Sequence, residues 1–276
     1  MMKKQIISAL VALALGSSLS VMAAGPSESL ATLYPDFQVA SIQYLDFTDH
    51  NRDEAVVTGR IFGHPYEPSH IGAIMAYDDA TQGWKPLYVT EKMYMPVVVS
   101  TGRVLPQEEK QVLFREWEGS GSFLHYEVLA WNHGKTEPIL TRSQIPQGNA
   151  LFYDGKILET QYSMDTFYTW NGTQLVRKEL PQQLPVQATH RITYTIDEDH
   201  HVTMSATSLT MKIGDTLQLR RMNRGVGERI LTSGDYFDFS QRGVMKAKVA
   251  GKTDITMIPD SYDWDHAATI TVTILP

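Results

Sequence analysis

The chain has 276 residues, with 31 acidic against 24 basic side chains, a formal charge of −7 and no cysteine. That balance excludes the basic footprint of a nucleic-acid binder, and the lack of sulfur excludes a disulfide scaffold, a thiolate metal cage and a cysteine nucleophile. Stability must come from an apolar core, and the length suffices for one large domain or two ordinary ones.

The N-terminus reads Met1-Met2-Lys3-Lys4, then an apolar run from Ile6 to about Val21, then the small residues Ala23 and Ala24 ahead of Gly25-Pro26-Ser27-Glu28. This is the three-part pattern of a secretory signal peptide over residues 1–23, cut after Ala23 or Ala24. The run is interrupted by Gly16-Ser17-Ser18 and is shorter than the ~20 apolar residues of a spanning helix. Loss of these 23 residues, Lys3 and Lys4 among them, leaves 253 residues and moves the charge to −9. The expectation is a soluble bacterial protein of the periplasm or cell exterior, with no membrane insertion after signal cleavage and no cysteine to carry a lipid.

A turn or two of helix fits Ser27 to Leu33. From Phe37 onward the apolar residues fall in short runs rich in Val, Ile, Tyr, Phe and Thr, separated by Gly, Pro, Asn and Asp. Such punctuation predicts antiparallel strands over Ser41–Asp46, Glu54–Ile61, Ala73–Tyr77, Pro86–Thr90, Met95–Thr101, Gln111–Glu116 and Phe123–Trp131. Three units, Trp131-Asn132-His133-Gly134-Lys135, Tyr153-Asp154-Gly155-Lys156 and Trp170-Asn171-Gly172-Thr173, set Asn, Asp or His beside Gly just after an aromatic residue. They predict tight hairpins, and the formal glycosylation sequon at Asn171 is read as part of a turn.

Between Lys178 and Ala188 two prolines and three glutamines deny helix and sheet a hydrogen-bonded interior. The chain is therefore divided into an antiparallel β domain over 24–183, propeller-like or a sandwich, a linker at 184–188, and a C-terminal domain over 189–276. The C-terminal domain opens with a hairpin, Arg191 to Ile196 and His201 to Met204. It continues with Ser208-Leu-Thr-Met-Lys-Ile-Gly-Asp-Thr-Leu-Gln-Leu219, Gly243-Val-Met-Lys-Ala-Lys-Val-Ala-Gly251 and Ala268-Thr-Ile-Thr-Val-Thr-Ile274.

Those ordered pieces, over about the last 70 residues, resemble the group 2 bacterial immunoglobulin-like domain. The resemblance implies a small β-sandwich, with Leu217 and Leu219 inward and Ile255, Met257, Ile270, Val272 and Ile274 on the facing sheet. Arg229-Ile230-Leu231-Thr232-Ser233-Gly234 stands where the family usually carries a tryptophan and a serine-rich stretch. Such domains serve as spacers, adhesive modules or glycan- and protein-contacting units, so the resemblance implies architecture more than chemistry.

Asp46-Phe47-Thr48-Asp49-His50-Asn51-Arg52-Asp53-Glu54, running into Ala55-Val56-Val57, resembles a degenerate integrin-type (FG-GAP/VCBS-like) repeat. One register would place Asp46, Thr48, His50 and Glu54 at calcium-ligand positions, but imidazole suits a hard cation poorly. Another uses Asp49, Asn51 and Asp53 and puts Val57 where a last carboxylate belongs. The loop is read as a solvated hairpin connection. Gly119-Ser120-Gly121-Ser122 precedes a strand and lacks the lysine and helix of a phosphate cradle.

His64 and His70 flank Glu67, but Pro65 and Pro68 forbid the helical turn of zinc proteases. His200-His201 and His266 lie in acidic turn compositions, and on a strand the adjacent pair would point to opposite faces. No nucleophile elbow or serine–lysine dyad is present. Accordingly no catalytic, cofactor-binding or metal-ligating residue is assigned. Trp84, Trp117, Trp131, Trp170 and Trp264 are the candidates for contact with a sugar or protein, where they are not simply core. The function expected is non-catalytic binding or scaffolding at the cell envelope, with a glycan or protein partner; the alternative is an exported glycan hydrolase using dispersed carboxylates of the N-terminal domain.

Overall fold

The computed structural model describes residues 24–49, 52–62, 67–119, 123–240 and 242–276. The expected signal peptide, residues 1–23, lies outside the described residues, as do His50, Asn51, His64 and the Ser120-Gly121-Ser122 stretch.

The fold is almost entirely β. Among the described residues there is one α-helix, α1 (Pro26–Leu33), which starts on a proline whose missing N–H costs nothing in a first turn. Three four-stranded antiparallel sheets follow in chain order. The first holds β1 (Phe37–Leu45), β2 (Glu54–Ile61), β3 (His70–Asp78) and β4 (Gly83–Val89). The second holds β5 (Val98–Gly102), β6 (Gln111–Glu118), β7 (Phe123–Asn132) and β8 (Lys135–Ile145). The third holds β9 (Asn149–Tyr153), β10 (Lys156–Gln161), β11 (Met164–Trp170) and β12 (Leu175–Glu179). In each sheet, strands adjacent in sequence are adjacent in space, so all three are simple meanders and none closes into a barrel.

The sheets are stacked face to face. Ala55, Val57, Ala73 and Met75 turn toward Leu30 of α1, while Val56 and Ile74 meet Val112, Phe114 and Leu129 of the second sheet. Leu113, Leu124, Tyr126 and Val128 form the opposite face of that sheet and meet Ala150, Ile157 and Tyr168 of the third. A central strand covered on both sides needs apolar residues at every position, because successive side chains alternate faces. This accounts for the unbroken runs Ala55-Val56-Val57 and Val112-Leu113-Phe114, every member of which is fully buried.

Two glycines allow the sheets to approach. A Cβ on Gly72 of β3 would stand 2.6 Å from the Phe114 ring, and one on Gly102 of β5 would stand 2.3 Å from the Phe152 ring. Each sheet junction thus has one phenylalanine seated on the bare backbone of the neighbouring sheet.

The C-terminal residues form two further sheets. One has the order β14 (Val202–Met204), β13 (His190–Ile196), β16 (Thr216–Arg221), β19 (Met245–Ala247), β18 (Phe237–Phe239). The other has the order β15 (Ser208–Lys212), β21 (Ala268–Leu275), β20 (Gly251–Pro259), β17 (Glu228–Thr232). They share one core, in which Ile192, Tyr194, Leu217, Leu219 and Met245 oppose Met211, Ile255, Met257, Ile270, Val272 and Ile274. Leu217, Leu219 and the five facing-sheet residues named from the sequence are all in this core. Two pairings, β13 with β16 and β15 with β21, are parallel, a feature the alternating pattern does not encode.

Residues 184–188 have no regular structure, yet they are held: the Gln218 side chain donates to the Leu184 carbonyl at 2.9 Å and accepts from Val186 N at 3.0 Å. Arg224 donates to the carbonyls of Leu180 and Asp165, and Asp165 accepts from Leu184 N at 2.7 Å, tying this segment to the third sheet. The β10–β11 turn leans on the C-terminal module, where the Tyr162 ring lies against Gly227. Directly behind it, Arg221 and Glu228 form a fully buried ion pair, with Tyr194 donating to Glu228 at 2.9 Å. Burial and the neighbouring Glu228 charge push the Tyr194 hydroxyl well above its ordinary pKa, so it remains a donor at any physiological pH.

Removing one member of a buried pair strands the other. Glu228→Gln is therefore expected to lower unfolding free energy by about 3 kcal/mol in urea titration, whereas Arg52→Ala, which breaks an exposed pair with Asp79, is expected to cost under ~1 kcal/mol. Equal losses in the two variants would contradict the burial argument.

Candidate binding site

Helix α1 covers only part of the outer face of the first sheet. Where the helix stops, the face continues as three aromatic side chains: Tyr44 on β1, Tyr77 on β3 and Trp84 on β4. Tyr77 and Trp84 are direct cross-strand partners, with ring centres 5.6 Å apart and planes at 78°; Tyr44 and Trp84 are 6.0 Å apart and tilted by 54°. One side of Trp84 rests on the core beneath the helix. Tyr44, by contrast, is 57% exposed, in a strand whose residues from Gln38 to Tyr44 are all exposed.

With Arg52 and Asp53, these rings line a shallow hollow of about 660 Å³. The Arg52 guanidinium lies 4.2 Å above the Tyr77 ring centre and reaches Asp79 at 3.3 Å, so the rim is charged and its cation is fixed in place. The adjoining β3–β4 turn is pinned by Asp78, which accepts from Ala80 N and Thr81 Oγ1 and pairs with Lys85. These donors, Lys85 foremost, hold the Asp78 carboxyl down at about 2. The arrangement offers tilted apolar faces beside one cation and the Asp53 carboxylate, a chemistry suited to stacking and hydrogen bonding.

The sequence-derived candidates separate here. Of the five tryptophans, Trp84 lies in the hollow and Trp264 is 60% exposed on the C-terminal module. Trp117 donates to the Gly148 carbonyl at 2.8 Å between the second and third sheets, and Trp131 donates to Asp49 at 2.8 Å, so both have structural contacts. Trp170 closes a hairpin opposite Leu175. The Asn171 side chain accepts from the amides of Thr173 and Gln174, as the turn reading expects.

In the acidic loop, the Glu54 carboxylate accepts from the amides of Phe47 and Thr48 at 3.0 Å and from the Thr48 hydroxyl at 2.6 Å. It thereby closes the loop on itself. Asp53 points to the hollow instead. His70 starts β3, its backbone paired with Met93. Among the described residues no group of three or more His, Asp or Glu is arranged to cage a metal.

His200 and His201 lie in the β13–β14 turn, as their acidic-turn composition predicts, with His200 at φ 68°; being off the strand, both side chains reach the same corner, contrary to the expectation that only one of them could face a site. His200 Nδ1 stands 2.8 Å from Asp263 Oδ2, His266 Nδ1 stands 2.9 Å from the same oxygen, and the rings of His201 and His266 meet edge to face at 4.9 Å. Sequence separation hid this corner, since Asp263 and His266 lie more than sixty residues further along the chain.

The buried carboxylates are bound into structural networks. Glu159 accepts from the hydroxyls of Tyr126 and Tyr168 and from Arg142, and Asp165 accepts from Leu184 N and Thr160. Burial raises the pKa of Asp165 and of Glu127, the latter bonded to the Tyr88 hydroxyl at 2.7 Å. Sequence reasoning also missed Arg115, fully buried between the second and third sheets, where it donates to the Ala150 carbonyl. Loss of hydration pulls this guanidinium down to about 10. No family model, curated protein or solved structure matches the chain.

The folded-state pKa of Asp78 is depressed, so the turn bonds it makes are fully present above its ordinary value of 3.8 and are lost as pH falls toward about 2. Carboxyl carbon NMR titration should give Asp78 a midpoint near 2, and a midpoint at 3.8 would remove the ion pair and turn bonds from the account.

Proposed function

We propose that this is an exported, non-catalytic binding protein of the bacterial cell envelope that holds a glycan in the Tyr44–Tyr77–Trp84 hollow. The observation carrying the reading is the set of three aromatic rings left uncovered beside α1, tilted into a concave face and flanked by Arg52 and Asp53. Apolar C–H faces of a sugar ring stack on aromatic rings while its hydroxyls take the rim charges. The signal-like N-terminus supports export.

The architecture fits the same reading. The three stacked meanders correspond to consecutive blades of an open, propeller-like arrangement, and the two sheets of residues 190–275 to an immunoglobulin-like module serving as a spacer. The two ends of the stack contact other elements, α1 at one and the C-terminal module at the other, which fits an arc that does not close into a ring. The buried carboxylates Glu54, Glu159 and Glu228 are committed to tyrosine and threonine hydroxyls, arginines and backbone amides, which favours binding over hydrolysis.

A glycan array followed by calorimetry on the mature chain tests the proposal. Saturable binding of a glycan is expected, weakened at least tenfold, about 1.4 kcal/mol, by Trp84→Ala or Tyr44→Ala and unchanged by Trp264→Ala. Absence of any binder, or an affinity in the Trp84 and Tyr44 variants equal to that of the parent, would reject the hollow as the site.

A further inference from the structure

We propose that His201 and His266 form a two-imidazole site for one transition-metal ion on the C-terminal module, distinct from the aromatic hollow. The two residues are brought together by different connections, His201 by the β13–β14 turn and His266 by the Trp264–His266 3-10 turn between β20 and β21. Their ring centres lie 4.9 Å apart with planes at 76°. Two imidazoles bound through Nε2 to one tetrahedral ion at about 2.0–2.1 Å hold their ring centres roughly 5 Å apart, the separation these two rings have.

The other nitrogen of the His266 ring has the carboxylate partner that metal-binding histidines use, and that of His201 faces a carboxylate at longer range. His266 Nδ1 lies 2.9 Å from Asp263 and His201 Nδ1 lies 3.5 Å from Asp197. A carboxylate on Nδ1 fixes the tautomer, leaves Nε2 as the lone-pair donor and makes it more basic. Asp263 is held in turn: it accepts from His266 N and contacts His200 Nδ1 at 2.8 Å. Asp197 is likewise fixed by the amides of Asp199 and His201. The orienting carboxylates are thus anchored independently of any ion.

The site is open. The His201 side chain is 63% exposed, and with two protein ligands the remaining positions belong to water or to a donor from another molecule. Imidazole donors select Cu2+, Ni2+ and Zn2+ over hard cations, and with so few ligands the order of intrinsic affinity places Cu2+ first. An overall formal charge of −7 favours a cation further.

Titration of the mature protein with Cu2+ in a non-coordinating buffer tests this, read by calorimetry and by quenching of Trp264, two residues from His266. One saturable ion per chain is expected. His201→Ala and His266→Ala should each weaken binding at least tenfold with unchanged melting temperature; Asp263→Asn should weaken it on the order of tenfold. His133→Ala, in the β7–β8 turn, should leave it unaltered. No saturation below about 1 mM, or an affinity the same in both histidine variants as in the parent, would overturn the assignment.

Discussion

The whole N-terminal half depends on letting one sheet come close enough to the next for an aromatic ring to fill the space between them. A four-stranded sheet is too small to be stable with a bare apolar face, and there is no disulfide to compensate. Gly72 beneath Phe114 and Gly102 beneath Phe152 solve this at successive junctions, since any larger residue at either glycine would meet the ring inside contact distance. The unbroken apolar strands, the buried tyrosine hydroxyls and the sequestered Arg115 all follow from sheets covered on both sides.

Covering both faces of every inner sheet leaves the outer faces to be managed. The helix covers part of one, and its short length leaves Tyr44 exposed and Tyr77 and Trp84 half-buried. The far face of the third sheet meets the C-terminal module, where Arg242 lies 4.8 Å from the Tyr153 ring centre, Arg224 reaches back to the Leu180 carbonyl, and Tyr162 rests on Gly227. The proposed ligand sites therefore lie at opposite parts of the chain: the aromatic hollow where cover runs out, and the histidine corner where two turns of the sandwich meet.

The strands and turns were legible because local chemistry decides them. Glu54–Ile61 has the expected bounds, the helix begins one residue earlier than expected, and Asp154-Gly155 takes the positive φ angles its turn requires. The inward positions of Leu217 and Leu219, implied by the resemblance, are in the core shared by the two C-terminal sheets. The order of stacking was not legible, since a run such as Val112-Leu113-Phe114 says that both faces are covered but not by what. Nor were the sites: Tyr44 and Trp84 are forty residues apart, and His201 and His266, which meet ring to ring, lie in two turns more than sixty residues apart.

The most direct test of the stacked arrangement is a nuclear Overhauser measurement on protein selectively labelled at glycine and phenylalanine. Cross-peaks from the Gly72 α-protons to the Phe114 ring and from the Gly102 α-protons to the Phe152 ring, with upfield ring-current shifts on both glycines, are the predicted result. Absence of both contacts in the folded protein would contradict the face-to-face stack and everything built on it.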